Sequence, residues 1–178
     1  MSFDKYGDLV RIKSKKIHDL LIFKYSVNID ERGTIFTTYL KEILDPYLPN
    51  NLQFNHDKFS LSKKNVLRGL HGDNKTWKLV TCIYGEIFQV VVDCRPDSKS
   101  YLSWESFNIS EKNRILVLIP PNFANGFSVI SEEALYHYKL AYLGEYNDTN
   151  DQFIIKYNDG RLKIPWPNKK FITSMRDN

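Results

Sequence analysis

Long apolar runs are absent from this sequence, and no stretch approaches the roughly 18 apolar residues that a membrane-spanning helix requires. The first residues, MSFDKYGDLVRIK, include acids and lack the apolar segment of a secretory signal peptide. Cysteine is scarce as well, since only Cys82 and Cys94 occur. In a chain without an export signal, these two residues are expected to be buried thiols and not a disulfide. We therefore expect a soluble, cytoplasmic protein.

The motifs of several enzyme classes are also missing. The chain has no G-x-G-x-x-G, no phosphate-binding glycine–lysine loop and no G-x-S-x-G. Dinucleotide-dependent redox, NTPase and serine hydrolase functions therefore have no support. A metal site is not expected, because no two histidines show a paired spacing such as H-x-H. The four histidines are His18, His56, His71 and His137.

Strong charge of either sign is lacking too. The formal net charge is +4, with 25 basic residues spread among 21 acidic ones. This mild balance fits an anionic small-molecule ligand and is weak support for nucleic-acid binding.

Strand-forming runs dominate what is present. They are rich in β-branched and aromatic residues and comprise LLIFKYSVNI (20–29), KLVTCIY (78–84), EIFQVVVDCR (86–95), RILVLIPP (114–121), GFSVIS (126–131) and LYHYKLAYL (135–143). Only TYLKEILDPYL (38–48) has helical spacing, which we expect to end at Asp45-Pro46. Tyr84-Gly85 predicts a tight hairpin turn and Asn125-Gly126 a second turn. The pattern predicts one all-β domain over residues 1–178, built as an antiparallel sandwich or barrel.

Alternation within EIFQVVVD predicts the two faces of its strand. Ile87, Gln89, Val91 and Asp93 would share one face, with Phe88, Val90 and Val92 on the other.

The stretch NVLRGLHGDNKTWKLV (65–80) places Arg68, His71 and Lys78 close together. A lone histidine is more often structural than catalytic, but two cations beside it could clamp a phosphate or an oxyanion while the imidazole abstracts a proton. Arg68 and His71 are an odd number of residues apart, so a regular strand would point them to opposite faces. Gly69 and Gly72 would relax that register.

Two further segments could contribute to the same site. In LYHYKLAY, Tyr136, Tyr138 and Tyr142 would share a strand face, as an aromatic core cluster or as a phenol that acts as an acid. In the terminal ITSMRDN, Asp177 could orient the imidazole of His71, although chain ends are usually frayed.

Taken together, the motifs resemble the dTDP-4-dehydrorhamnose 3,5-epimerase family along nearly the whole chain. The matching segments are D-E-R-G (30–33), N-V-L-R-G-L-H (65–71), K-L-V (78–80), F-x-V-x-V-D-x-R (88–95), I-P-P-x-F-A-x-G-F (119–127), Y-K (138–139), W-P (166–167) and S-x-R-D (174–177). The resemblance implies a cupin-like double-stranded β-barrel (a jelly roll) and a homodimer without metal or cofactor. It also implies epimerisation of nucleotide-diphosphate-linked 4-keto-6-deoxy sugars at the carbons beside the ketone.

The resemblance also implies roles for individual residues. His71 would be the base that removes the proton, Asp177 would orient it, and Tyr138 would return a proton from the opposite face. Lys78 would lie near the enolate oxygen. Arg68 would bind the sugar diphosphate, and Arg32 would reach the nucleotide diphosphate, often across the dimer.

Some positions depart from the family pattern. Asn125 stands where the family has a second histidine, and Gln89 where it has the aspartate partner of that histidine. Asn125 could still donate a hydrogen bond to an enolate oxygen. In the base-binding region the family's Q-x-N becomes His56-Asp57-Lys58, and its glutamate becomes Thr37. His56 and Lys58 are the candidate residues there.

These departures leave open which substrate is used, and whether C3 alone or both C3 and C5 are inverted. They resemble members that act on GDP-linked 4-keto-heptoses for capsule synthesis, with Asp57 accepting from guanine, and this is the favoured interpretation. The alternatives are dTDP-4-keto-6-deoxyglucose as the substrate of a 3,5-epimerase of rhamnose synthesis, a related sugar-nucleotide 3,4-ketoisomerase, and a non-catalytic binding module.

Overall fold

Short antiparallel strands make up most of the chain. The computed structural model describes residues 9–14, 16–17, 19–49 and 52–178, without the side chains of Val10 and Lys13. His18, one of the four histidines considered for a metal site, lies outside the described residues. The strands are β1 (Leu9–Lys13), β2 (Leu21–Tyr25), β3 (Val27–Asp30), β4 (Gly33–Phe36), β5 (Phe54–Lys63), β6 (Leu67–Gly72), β7 (Trp77–Tyr84), β8 (Glu86–Asp93), β9 (Trp104–Ser110), β10 (Ile115–Ile119), β11 (Phe123–Val129), β12 (Glu133–Ala141) and β13 (Phe153–Ile154).

Two antiparallel sheets enclose the main core, in a jelly-roll arrangement. One sheet has the order β1-β2-β10-β7-β12-β5 and the other β13-β6-β11-β8-β9, while β3 and β4 form a separate hairpin. Fully buried side chains of both sheets meet between them, including Val80, Val91, Val117, Phe127 and Tyr136. The predicted all-β, cupin-like barrel is therefore confirmed.

The predicted faces of β8 are confirmed as well. Ile87 and Val91 pack in the core between the sheets. Val90 and Val92 pack in a separate cluster on the outer side of their sheet, with Phe88 against them. Both faces of this strand are thus covered.

The cysteines are free, as predicted. Cys82 is buried, and Cys94 is half-buried. Burial raises the pKa of the Cys82 thiol to about 12 and that of Cys94 to about 11. Both thiols therefore stay protonated at neutral pH.

The helix prediction was too long. Only Lys41–Leu44 is α-helical (α1), and a 3-10 helix continues through Asp45–Tyr47. The α-helix ends at Asp45-Pro46, as predicted. Pro46 lies in the first turn of the 3-10 helix that follows, where its missing N–H is not needed. Among the described residues, no helix has the length and hydropathy to cross a membrane.

Both turn predictions were wrong. Tyr84-Gly85 does not close a hairpin, because β7 and β8 belong to different sheets and the chain crosses between them at Gly85. Asn125-Gly126 lies inside β11. Glycine is required there by close packing, since a Cβ on Gly126 would lie 2.6 Å from the carbonyl oxygen of Arg68 on β6.

Several strands were missed or merged. The run 20–29 is divided into β2 and β3, and β5 was not predicted. The sequence of β5, FNHDKFSLSK, is mostly polar because it lies at the edge of its sheet, and only one of its ten residues is buried. The strands β1, β4, β6, β9 and β13 were missed too.

Candidate active site

A cavity of about 430 Å³ lies between the two sheets. The six-stranded sheet contributes residues of β5, β7 and β12 to its wall, and the five-stranded sheet contributes residues of β6 and β11. The rest of the wall comes from the segment 146–152 and from the last residues of the chain, 174–177. Of the predicted site residues, those that line it are Lys58, Arg68, His71, Lys78, Asn125, Tyr138 and Asp177.

His71 and Asp177 form a hydrogen-bonded pair in this wall. The Nε2 atom of His71 lies 2.5 Å from Oδ1 of Asp177, and Ser174 Oγ donates to the other carboxylate oxygen over 2.9 Å. With Nε2–H donated to the carboxylate, the lone pair of the imidazole is on Nδ1. Asp177 is 3% exposed, so these two hydrogen bonds take the place of water around its carboxylate.

The chain end is held in place, and it is not frayed at this point. Ile172 forms a parallel bridge with Val66, beside the start of β6. The Ile172 amide donates to the carbonyl of Asn65, and its carbonyl accepts from the amide of Leu67. Because β6 also carries His71, these bonds tie the segment of Asp177 to the strand of its partner.

Burial controls the protonation of His71. Desolvation is the largest effect and lowers the pKa of the imidazole, while the charge and hydrogen bond of Asp177 act against it. Arg176 and Lys78 lower the pKa further. The imidazole is therefore neutral over a wider pH range than an exposed histidine, which suits a general base.

Tyr138 lies in the same cavity wall, on β12. Burial raises the pKa of its phenol to about 12, so the phenol is protonated and can donate a proton at neutral pH. The three tyrosines predicted to share a face do not share a site. Tyr136 is fully buried in the core and stacks on Phe127, and Tyr142 follows the end of β12 and stacks on Tyr146.

A register shift brings Arg68 and His71 to one cavity despite their odd spacing. Opposite them, the pairing of β11 slips between Asn125 and Phe127. Gly69 has a φ of 118°, which an L side chain rarely adopts. The predicted relaxation of the strand by glycine is therefore observed at Gly69.

Other predicted binding residues lie outside the cavity wall. Gln89 is buried behind it and accepts a hydrogen bond from Tyr136 Oη over 2.7 Å. His56 contacts the ring of Tyr146. Arg32 is at the turn of the β3–β4 hairpin, where it is exposed and paired with Asp30.

Asp57 does not face the cavity, which corrects its predicted role in binding guanine. Its carboxylate oxygens accept from His137 Nε2 and Lys139 Nζ, each over 2.6 Å. Residues 57 and 58 are consecutive on β5, so their side chains point to opposite faces of the sheet, and Lys58 takes the cavity side.

Sequence reasoning missed the residues that close the cavity. Asp148, in a short 3-10 helix at Asp148–Asp151, lies 2.5 Å from Lys58 Nζ. Arg176 donates to Gln152 Oε1 over 3.0 Å, which joins the C-terminal segment to this loop. Arg176 could have been found through its place in S-x-R-D, whereas the loop carries no recognisable motif. Among the described residues, no three His, Cys, Asp or Glu side chains are grouped as metal ligands.

Comparison with known proteins identifies relatives of this architecture. The dTDP-4-dehydrorhamnose 3,5-epimerase family matches residues 14–178. The chain is 39% identical over 154 residues to the dTDP-4-dehydrorhamnose 3,5-epimerase of Salmonella typhimurium, covering 85% of this chain and 82% of that protein. It is 37% identical over 155 residues to the enzyme of that name from Escherichia coli, covering 85% and 82%.

Solved structures agree with this assignment. The crystal structure of dTDP-6-deoxy-D-glucose-3,5-epimerase from Legionella pneumophila in complex with dTDP-4-keto-L-rhamnose superposes with a TM-score of 0.87 at 33% identity, covering 96% of this chain and 90% of that one. The dTDP-4-dehydrorhamnose 3,5-epimerase of Bacillus anthracis, with TDP and pyrophosphate bound, gives 0.85 at 29% identity, with 96% and 97% covered. The protein is thus a member of the dTDP-4-dehydrorhamnose 3,5-epimerase family.

Proposed function

We propose that the protein is a cofactor-independent epimerase that inverts C3 and C5 of a dTDP-linked 4-keto-6-deoxy sugar. The observation that carries this proposal is the presence of the His71–Asp177 pair and Tyr138 in one cavity. Inversion requires a proton to leave one face of a carbon and another to arrive on the opposite face. Two different groups, one neutral imidazole and one protonated phenol, supply these steps.

The electrostatics of the cavity support an enolate intermediate. A carbon next to a ketone is weakly acidic until positive or hydrogen-bonding groups meet the developing oxyanion. Lys78, inside the same wall, is the candidate for that contact. The ketone of the substrate accepts the electron pair of the broken C–H bond, so no further electron acceptor is required. Arg68, Lys58 and Arg176 line the same cavity and suit the diphosphate.

The nucleotide is proposed to be dTDP and not GDP. The sequence favoured a GDP-linked heptose, mainly because Asp57 replaces a residue of the family's base-binding region. Asp57 is engaged by His137 and Lys139, away from the cavity, and so gives no support to guanine recognition. The relatives described above are named for dTDP-linked sugars. These two observations favour a dTDP-linked 4-keto-6-deoxy sugar, which the sequence had suggested only as an alternative.

Solvent deuterium tests the reaction and the substrate together. The purified protein is incubated in heavy water with dTDP-4-keto-6-deoxyglucose, a GDP-linked 4-keto-6-deoxyhexose and a GDP-linked 4-keto-heptose, followed by mass spectrometry and NMR. We expect deuterium at both carbons beside the ketone of the dTDP sugar. A 3-keto product would indicate a ketoisomerase, and binding without exchange would indicate a non-catalytic module. Faster exchange into a GDP sugar would overturn the nucleotide assignment.

We also propose that the protein is a homodimer. In the hairpin of β3 and β4, Phe36 stacks on Tyr25, while Ile29 and Ile35 are each 71% exposed. Such large apolar side chains on a two-stranded hairpin are suited to a protein contact. Arg32, at the tip of this hairpin, would then approach the cavity of the partner.

A further inference from the structure

Lys78 is held between two acceptors inside the barrel. It is 5% exposed, and its Nζ lies 3.6 Å from Oδ2 of Asp73 and 3.4 Å from Oδ1 of Asn125. Asp73 is 2% exposed. An ammonium group has three N–H donors. One donates to Asn125 and a second side faces Asp73 in an ionic contact, which leaves the third for the cavity that Lys78 also lines.

The two carboxylate oxygens of Asp73 have different surroundings. Oδ1 accepts from the backbone amides of Lys75 over 3.0 Å and Thr76 over 2.6 Å, which forms the turn between β6 and β7. Oδ2 has no hydrogen-bond partner among the described residues, although it is fully buried. A buried carboxylate oxygen is costly unless a charge compensates it, and the ammonium of Lys78 is the cation that faces it.

The orientation of Asn125 follows from a chain of hydrogen bonds behind it. Gln89 Nε2 donates to the carbonyl of Val90 over 3.1 Å, so Gln89 presents Oε1 to the hydroxyl of Tyr136 at 2.7 Å. Tyr136 has then used its proton, and its oxygen can only accept from Asn125, with which it is also hydrogen-bonded. The amide nitrogen of Asn125 is therefore directed to Tyr136, and its carbonyl oxygen to Lys78.

We propose that Asp73 and Asn125 are positioning residues, which keep the side chain of Lys78 charged and direct its third N–H to the substrate oxygen in the cavity. This inference rests on the proposed epimerase function. It gives Asn125 and Gln89 a role in aligning Lys78, whereas the sequence suggested only a direct hydrogen bond from Asn125 to the enolate oxygen. Lys78 is the residue that touches the reacting oxygen, and Asp73 and Asn125 act through it.

Among the charges around Lys78, Asp73 is the main one that keeps its ammonium group protonated. Burial is the largest effect on Lys78 and lowers the pKa of its ammonium, and Arg176 lowers it further. Asp73 is the main group acting in the opposite direction, with a smaller contribution from Asp148. The imidazole of His71 also lies within electrostatic range. Without Asp73, the buried lysine would lose its proton at lower pH and could no longer stabilise an oxyanion.

The substitution Asp73→Asn tests this with little change of shape. The asparagine retains Oδ1 for the turn, but it lacks the negative charge. We expect kcat on the dTDP sugar to fall about 10²–10³-fold at pH 8, comparable to loss of one oxyanion contact, with KM nearly unchanged. The alkaline limb of the kcat–pH profile should move to lower pH, a shift that a purely structural role would not cause. Asp151→Asn is the control, because it removes a nearby carboxylate that pairs with Lys75 and not with Lys78.

A measurement without substrate separates this inference from the proposed function. NMR of protein carrying ¹³C-labelled lysine, with the Lys78 signal assigned by its loss in Lys78→Met, follows the protonation of this side chain. We expect Lys78 to be charged at pH 7.5 in the native protein and to titrate at lower pH in Asp73→Asn. A neutral Lys78 in the native protein overturns the inference even if the variant does not fold, and so does an unchanged titration in a folded variant. Absence of epimerisation together with the expected titration would instead contradict the proposed function.

Discussion

At the residue scale, the pair of His71 and Asp177 makes a prediction about pH. A general base works in its neutral form, so activity rises as the pH passes the pKa of His71, which burial places below its usual range. Asp177 acts in the opposite direction and raises that pKa. Asp177→Asn should therefore move the acid limb of the kcat/KM profile to lower pH. At the plateau, kcat should still fall about 10²–10⁴-fold, because the imidazole loses the partner that orients it.

Ser174→Ala is the matched control for that variant. It removes the hydroxyl that donates to Asp177 Oδ2 and leaves the bond to His71 in place. We expect a much smaller loss of kcat and an acid limb close to that of the native protein. An acid limb of Asp177→Asn that moves to higher pH would contradict the proposed sign.

The phenol of Tyr138 makes a separate prediction at this scale. Because burial raises its pKa to about 12, the group stays protonated at neutral pH and is available as a proton donor. Tyr138→Phe keeps the ring and removes only the acid. We expect deuterium exchange catalysed by His71 to persist while inversion falls about 10²–10⁴-fold, as measured by NMR of the product. Tyr146→Phe, at another tyrosine of the cavity wall, should retain inversion.

At the scale of the strands, the close contact of β6 and β11 positions the part of the cavity wall that includes Arg68 and His71. In Gly126→Ala, the new methyl group would meet backbone atoms of Arg68 and Gly69 at 2.6 and 3.0 Å, and neither can move as a flexible side chain would. We expect a loss of about 1–3 kcal/mol of unfolding free energy from overpacking, measured by denaturant titration. Activity should fall too, because β6 carries both Arg68 and His71.

Gly160→Ala is the control for that substitution. No atom lies within 4 Å of the Cβ that it would add. We expect a change within about 0.5 kcal/mol, as for an ordinary surface position. Equal destabilisation by the two alanines would show that close approach of the strands is not the reason for glycine at 126.

The same strands show what the sequence could and could not predict. The two faces of β8 were predicted correctly because this strand pairs with both neighbours in continuous register, so its side chains alternate without interruption. Asn125-Gly126 was misread as a turn, since a glycine required by a neighbouring backbone and a glycine required by a turn look identical in a sequence. The edge strand β5 was missed because its inward side is polar, with Lys58 and Ser60 at the cavity, so it lacks the apolar inward face by which a strand is recognised. The outward direction of Asp57 was missed with it.

The candidate site was predictable only where residues belong to motifs. Arg68, His71, Lys78, Tyr138 and Asp177 were all predicted, and the structure brings them to one cavity. The acceptors around Lys78 were not predicted as such, because the hydrogen bonds that orient Asn125 join β8 and β11 to β12 of the other sheet, and they depend on how the two sheets pack. The loop that closes the cavity was not predicted either. Its Asp148 contacts Lys58, which lies 90 residues earlier in the chain.

At the scale of the whole molecule, exposed apolar side chains raise the question of a partner. Ile29 and Ile35 lie on the β3–β4 hairpin, and Phe59 and Leu61 are 59% and 62% exposed on the edge strand β5. An edge strand with unpaired backbone groups and apolar side chains is a site of association unless it is covered. A second copy of the chain would cover both surfaces, and Arg32 on the hairpin would be carried to the partner.

The double substitution Ile29→Lys/Ile35→Lys tests this arrangement. Both side chains are largely exposed in the single chain, so the folded monomer should lose little stability. Sedimentation velocity should give a dimer for the native protein and a monomer for the variant, because two lysines on each hairpin would be buried against an apolar surface. If Arg32 serves the partner, KM for the dTDP sugar should rise in the variant and in Arg32→Ala alike. Tyr84→Lys is the control, because it changes an exposed aromatic residue on a different strand, and it should remain dimeric with an unchanged KM. A native protein that sediments as a monomer would exclude the shared site.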